Sequence, residues 1–209
     1  MAGGCDIQVL SIVYHDLLSD RVKLYNYLFP RTRFAPPRES RRLPSFVIGG
    51  RGIGTMDILD ELKTLTEKLE EENIEYALCG GLALAIYAFP RATLDIDILI
   101  EASLLERIER IVHDLGYTIK AEPMHFHGGK IQIHRVTKIE SGTGEALVLD
   151  MLLVTPEIRE AWNNRLEVEW EHGIISVVSP EGLILLKSFR KSGQEKDDID
   201  FLRSIIDED

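Results

Sequence analysis

The sequence predicts a mixed α/β or α+β domain with a helical C-terminus, and three observations predict it. Apolar residues recur at helical spacing from Ile58 to Leu69, short runs rich in Ile, Leu and Val follow between Tyr76 and Val178, and two helical patterns close the chain after Ser179.

Taken in order, Ile58, Leu59, Leu62, Leu65 and Leu69 form one face of an amphipathic helix with acids and lysines opposite. A short strand, Tyr76 to Cys79, is stopped by Gly80-Gly81, and Leu82 to Phe89 reads as a buried helix ended by Pro90. Thr93 to Glu101 is a strand. Ser103 is expected to cap a helix to about Leu115, with Glu106 completing a capping box and Gly116 closing it. Strands are expected at Tyr117–Ala121, Lys130–Thr137, Ala146–Val154, Leu166–Trp170 and Ile174–Val178. Thr155-Pro156-Glu157 opens a short helix, Ser179-Pro180-Glu181 opens another over Gly182–Arg190, and Lys196–Ile206 is the last.

Residues 1–55 differ in kind. An apolar stretch from Ile7 to Leu28 is broken by Asp16, Asp20 and Arg21, and a Pro/Arg-rich run without periodicity follows from Pro30 to Pro44. This part carries eight Lys/Arg against four Asp/Glu, whereas the whole chain has a net charge of -11. Neither a secretory signal nor a transit peptide fits it. The expectation is that residues 1–55 are an extension, largely disordered or outside the natural chain, and that residues 56–209 form the folded domain.

The acidic balance argues against a generic nucleic-acid surface, which depends on Lys and Arg neutralising phosphates. No apolar run reaches the roughly 20 residues that cross a bilayer. Of the two cysteines, Cys5 and Cys79, the second ends an apolar run and reads as a buried small side chain, so a reducing cytoplasm is expected.

The chemistry is concentrated in a few positions. Strand alternation in Leu94-Asp95-Ile96-Asp97-Ile98 puts Asp95 and Asp97 side by side on one face. Adjacent carboxylates repel, and burial at a core edge adds several kcal/mol per ion, so a divalent cation resolves the conflict; oxygen ligands select Mg²⁺ or Mn²⁺. Gly80-Gly81 between a strand and a helix lets the backbone approach a phosphate closely. Asp150 lies in Leu147 to Val154, a run apolar on both faces, where an ionised carboxylate needs a partner. Together these suggest a three-carboxylate, two-metal site for in-line attack on phosphorus. His125, His127 and His134 lack the cysteine or spaced carboxylate that would complete a zinc site. Lys196-Asp197-Asp198 reads as a helix N-terminal charge pattern and not as a ligand set.

These residues, with Pro90-Arg91-Ala92-Thr93 leading into Asp95-Ile96-Asp97, resemble the DNA polymerase β-type nucleotidyltransferase superfamily, and within it the AbiEii-like toxins and related minimal nucleotidyltransferases. Ser179 to Lys187 followed by Lys196 to Leu202 is similar to the C-terminal helical signature of that group. The resemblance runs from about Met56 to the end. It implies the nucleotidyltransferase fold, a central mixed sheet flanked by helices. It also implies Asp95 and Asp97 as ligands of both metals, and Asp150 as ligand of the catalytic metal and helper in deprotonating the attacking hydroxyl. Gly80 and Gly81 would cradle a nucleotide triphosphate, and Lys187 and Arg91 would meet phosphate. Many members carry Gly-Ser where this chain has Gly80-Gly81, which removes a phosphate-binding hydroxyl. The partners implied are a nucleotide triphosphate, an acceptor protein or RNA, and an antitoxin subunit. The alternatives are a small-molecule acceptor of the antibiotic type, or a non-catalytic binding module with the same fold.

Overall fold

The computed structural model describes residues 57–87, 93, 95–170, 172–189 and 193–207. The extension expected over residues 1–55 lies outside the described residues, and so do Pro90 and Arg91.

Helix α1 (Ile58–Glu71) begins where Asp57 accepts a hydrogen bond from the Leu59 amide at 2.9 Å, with Asp60 and Glu61 in its first turn and Lys68 in its last. It buries Leu62, Leu65 and Leu69, each stabilising the fold by about 2 kcal/mol. Strand β1 (Ala77–Cys79) feeds directly into α2 (Gly80–Ile86), and β2 (Asp95–Ile100) follows. Helix α3 (Leu105–Asp114) is entered differently from the sequence expectation. Ser103 sits inside a 3₁₀ turn, Ala102–Leu104, so the cap position passes to Leu104, which has no side-chain oxygen to make a capping bond. The predicted end holds: Gly116 takes φ +97°, its amide bonds the His113 carbonyl and that of Tyr117 reaches Val112.

Strands β3 (Ile119–Lys120), β4 (Met124–Phe126), β5 (Ile131–Ile139) and β6 (Ala146–Leu153) come next. Strand β4 was not predicted; three residues between Pro123 and a glycine turn are too few for alternation to register. After a 3₁₀ turn at Pro156–Ile158 come α4 (Arg159–Asn163), β7 (Leu166–Trp170), β8 (Gly173–Val177), α5 (Pro180–Ser188) and α6 (Gly193–Ile206). Ser179 caps α5 by accepting from the Gly182 amide at 3.2 Å.

The described strands make one mixed sheet in the order β3-β5-β6-β2-β1-β8-β7, with β4 also paired to β5. Strands β2 and β6 run parallel at the centre; β1 is antiparallel to β2 and parallel to β8. One face carries Ile96, Ile98, Leu149 and Met151, fully buried, with α1 and α3 on that side: Lys138 of β5 bonds Glu61 of α1, and His134 faces Glu109 of α3. The opposite face of the same strands holds the chemistry.

Candidate functional site

Register assembles the site. Asp97 on β2 is the direct partner of Asp150 on β6, Asp150 is in turn the partner of Arg135 on β5, and paired residues share a face. Asp95 lies two residues before Asp97, on the same face. Ligand oxygens of Asp95, Asp97 and Asp150 all lie within 4.8 Å of one another, with Asp97 at 7% and Asp150 at 2% exposure. Three carboxylates this close in a largely dry setting repel and lose hydration together. The Thr93 hydroxyl donates to Asp95 Oδ1 at 2.6 Å, and Arg135 donates twice to Asp150, Nε to Oδ1 and Nη2 to Oδ2, both at 2.7 Å. That bond holds the Arg135 guanidinium more firmly in its charged form, with Asp95 and Asp97 adding to the effect.

Gly80 abuts Asp97. It takes φ +66°, and a Cβ built on it would stand 1.9 Å from Asp97 Oδ2, so the carboxylate occupies the space any side chain would need. Gly81 is buried as the next residue of α2.

A cavity of about 400 Å³ opens over the carboxylates. Cys79, Gly80 and Asp97 lie at one end, Asp150 and Arg135 in the middle, and Ile131, Ile133, Leu152, Met124 and Phe126 beyond them. Leu183, Leu186, Lys187 and Phe189, from α5 and its C-cap, form the wall opposite the sheet. Lys187 is buried, and its Nζ bonds Asp198 Oδ2 of α6 at 2.7 Å, with side-chain exposures of 7% and 1%.

The donor set fits a hard divalent cation: three carboxylates, all oxygen, with no thiolate or imidazole among them. Among the described residues this is the one group of three or more potential metal-ligating side chains placed so closely.

A family model described as an uncharacterised nucleotidyltransferase matches residues 53–192. The chain belongs to this nucleotidyltransferase family. The three carboxylates, Gly80 and Lys187 all fall within the matched span. The nucleotidyltransferase also shares its fold with a solved structure. ANT(2″)-Ia, solved in complex with adenylyl-2″-tobramycin, is 15% identical with a TM-score of 0.51, over 71% of this chain and 89% of that one. A candidate nucleotidyltransferase from Thermotoga maritima is 19% identical with a TM-score of 0.46, over 73% of this chain and 94% of that one. No curated protein matches the chain.

In this nucleotidyltransferase the predicted residues meet unevenly. Asp97, Asp150, Gly80 and Lys187 converge on one cavity and Asp95 joins the two carboxylates at its edge, whereas Arg91 lies outside the described residues. None of the three histidines lines the cavity, although His125 and His127 border it. The His127 Nε2 meets the Phe189 carbonyl, His125 is exposed on β4, and His134 points to the opposite sheet face. Two site residues were missed. Arg135 alternates with Ile131 and Ile133, a charge in an apolar position of a strand, which is the one signal it offered. Asp198, expected in a helix N-terminal charge pattern, is a buried residue further into the helix. It sits four residues before Leu202 on the face of α6 that packs inward, so its spacing outranked the charge run.

Among the described residues no helix is long and apolar enough to cross a membrane.

Proposed function

We propose that the protein transfers a nucleoside monophosphate from a nucleotide triphosphate to a hydroxyl acceptor, with Mg²⁺ or Mn²⁺ held by Asp95, Asp97 and Asp150. The observation that carries this reading is the meeting of three carboxylates from two parallel strands, oxygens within 4.8 Å, with the Gly80 backbone packed directly against one of them. Bound there, the cation would neutralise charge on the phosphates and polarise the phosphorus under attack.

The protein's own groups take the remaining tasks. The backbone of the Gly80-Gly81 turn, where β1 passes into α2, lies against the phosphates. Lys187, which lines the cavity and pairs with Asp198 behind it, supplies positive charge for the phosphates, and Arg91 is a further candidate for that task. Asp150, on the side away from the diglycine, accepts the acceptor's proton. Residues 56–209 form the catalytic unit in this reading, residues 1–55 an extension, and the cytoplasm is the setting where nucleotide triphosphates and a reduced Cys79 coexist.

A protein or RNA acceptor in a toxin–antitoxin pair, with an antitoxin subunit as partner, follows from the AbiEii-like resemblance alone. The apolar side chains that line the cavity beyond Arg135 and Asp150 favour the other alternative, a small-molecule acceptor. A non-catalytic module with the same fold is separated by experiment. The protein is incubated with Mg²⁺, α-³²P nucleotide triphosphates and cell extract, and label should appear on an acceptor, with Asp97→Asn lowering it by roughly 100-fold or more. Labelling that survives the substitution, or Mg²⁺-dependent binding with no turnover by the unaltered protein, would defeat the assignment.

A further inference from the structure

The cavity is chemically two-sided. Across the sheet come Gly80 at the end of β1, Asp97 on β2, Asp150 on β6, Arg135 on β5, and beyond them the apolar side chains of β4 to β6. Ile133 is the direct partner of Leu152, two residues along the same face from the Arg135–Asp150 pair. Phe126 pairs with Ile131, and Leu186 faces them from α5. All but Phe126 are at least nine-tenths buried, although they line a space of about 400 Å³, the size of a chamber for a compact ligand.

In-line displacement puts the entering oxygen and the leaving pyrophosphate on opposite sides of the phosphorus. With the phosphates at Gly80-Gly81, the entering hydroxyl arrives from the Asp150 side, and the molecule that carries it rests against Ile133, Leu152 and Leu186. We propose that the acceptor is a small amphipathic alcohol or phenol, its hydroxyl at Asp150 and its apolar body enclosed between β4 to β6 and α5. This rests on the nucleotidyl-transfer reading above. The acceptor oxygen forms a bond to the α-phosphorus, the bond from that phosphorus to the α–β bridging oxygen breaks, pyrophosphate leaves, and the hydroxyl proton passes to Asp150.

The walls choose among acceptors. A polyhydroxylated, polycationic sugar or an RNA end would press polar groups against Ile133, Leu152 and Leu186, where no partner awaits them. An RNA would also meet a chain of net charge -11.

The test divides extract of the native cells, before reaction, into butanol-soluble small molecules, water-soluble small molecules, protein and RNA. Each fraction is incubated with the full chain, Mg²⁺ and α-³²P nucleotide triphosphates. Label is expected with the butanol-soluble fraction, and Phe126→Ser, half-exposed at the apolar end, should lower it at least about tenfold. Leu152→Asn, its folding checked by a melting curve, should do the same. Label confined to another fraction, or unmoved by both substitutions, overturns the proposal. Equilibrium dialysis of the nucleotides separates the two levels. Mg²⁺-dependent nucleotide binding without label in any fraction overturns the acceptor class alone, whereas loss of both overturns nucleotidyl transfer itself.

Discussion

Arg135 grips both carboxylate oxygens of Asp150 from the neighbouring strand, in two parallel bonds of 2.7 Å. A guanidinium fork of this kind matches carboxylate geometry and is among the stronger ion-pair arrangements. A divalent cation at the triad needs one of the same oxygens, so Arg135 and the cation compete. Arg135→Gln is therefore expected to bind Mn²⁺ more tightly, by about threefold to tenfold, as read by the loss of the free-ion EPR signal. In EDTA the same variant should lose about 1–2 kcal/mol in urea unfolding, less than a fully buried charged bond because Arg135 is 39% exposed. Weaker Mn²⁺ binding would instead make Arg135 a residue that positions Asp150 for the ion.

Gly80→Ala attacks the same triad from the other side. The backbone at φ +66° alone costs alanine about 1 kcal/mol. The larger effect is the added carbon, which would overlap Asp97 Oδ2 and force that carboxylate to move. The variant should keep its circular dichroism spectrum yet bind Mn²⁺ at least about tenfold more weakly. Unchanged affinity would show that Asp97 is dispensable as a ligand.

The Lys187–Asp198 pair is buried on both sides, so removing one partner strands the other. Asp198→Asn should destabilise the protein by about 3–5 kcal/mol in denaturant titration, while Lys187→Met combined with Asp198→Leu should recover most of that loss. Nucleotide affinity separates structure from function here. If Lys187 serves phosphate, the stable double variant still binds nucleotide triphosphate at least about tenfold more weakly in equilibrium dialysis.

His134 provides a pH signature on the far face of the sheet. Desolvation lowers its pKa, and this outweighs the opposing pull of Glu109. The folded state therefore favours neutral imidazole more than the unfolded chain does. The stability this contributes is complete above about pH 6.5, the unfolded value, and is lost as pH falls through the lower folded value. His134→Gln should flatten that part of the profile, seen as a smaller difference in urea midpoint between pH 7.5 and pH 5 than in the parent. An identical slope in both proteins would place the acid sensitivity elsewhere.

What could be read from sequence was local. Asp95 and Asp97 announce themselves by alternation, Asp150 by standing alone in an apolar run, and Gly80-Gly81 by interrupting a strand-to-helix passage. The Arg135–Asp150 pair depends on the register of β5 against β6, set by the connection between Ile139 and Ala146, and no short-range pattern encodes it. Lys187 and Asp198 meet because α5 and α6 pack together, which makes Asp198 a core residue inside a run that reads as a helix N-terminal charge pattern. Strand β4 draws its structure from pairing with β5 and not from its own three residues.

The ladder between β2 and β6 also governs when activity can begin. Asp97 and Asp150 lie far apart in the chain and meet through one parallel register, and a slip of a single residue would turn one strand's carboxylates to the opposite face. Parallel pairing forms late, because a long connection must close before it is rewarded. A nascent or partly folded chain holding its helices alone would thus be chemically silent, and nucleotide transfer would start only once the whole sheet had closed.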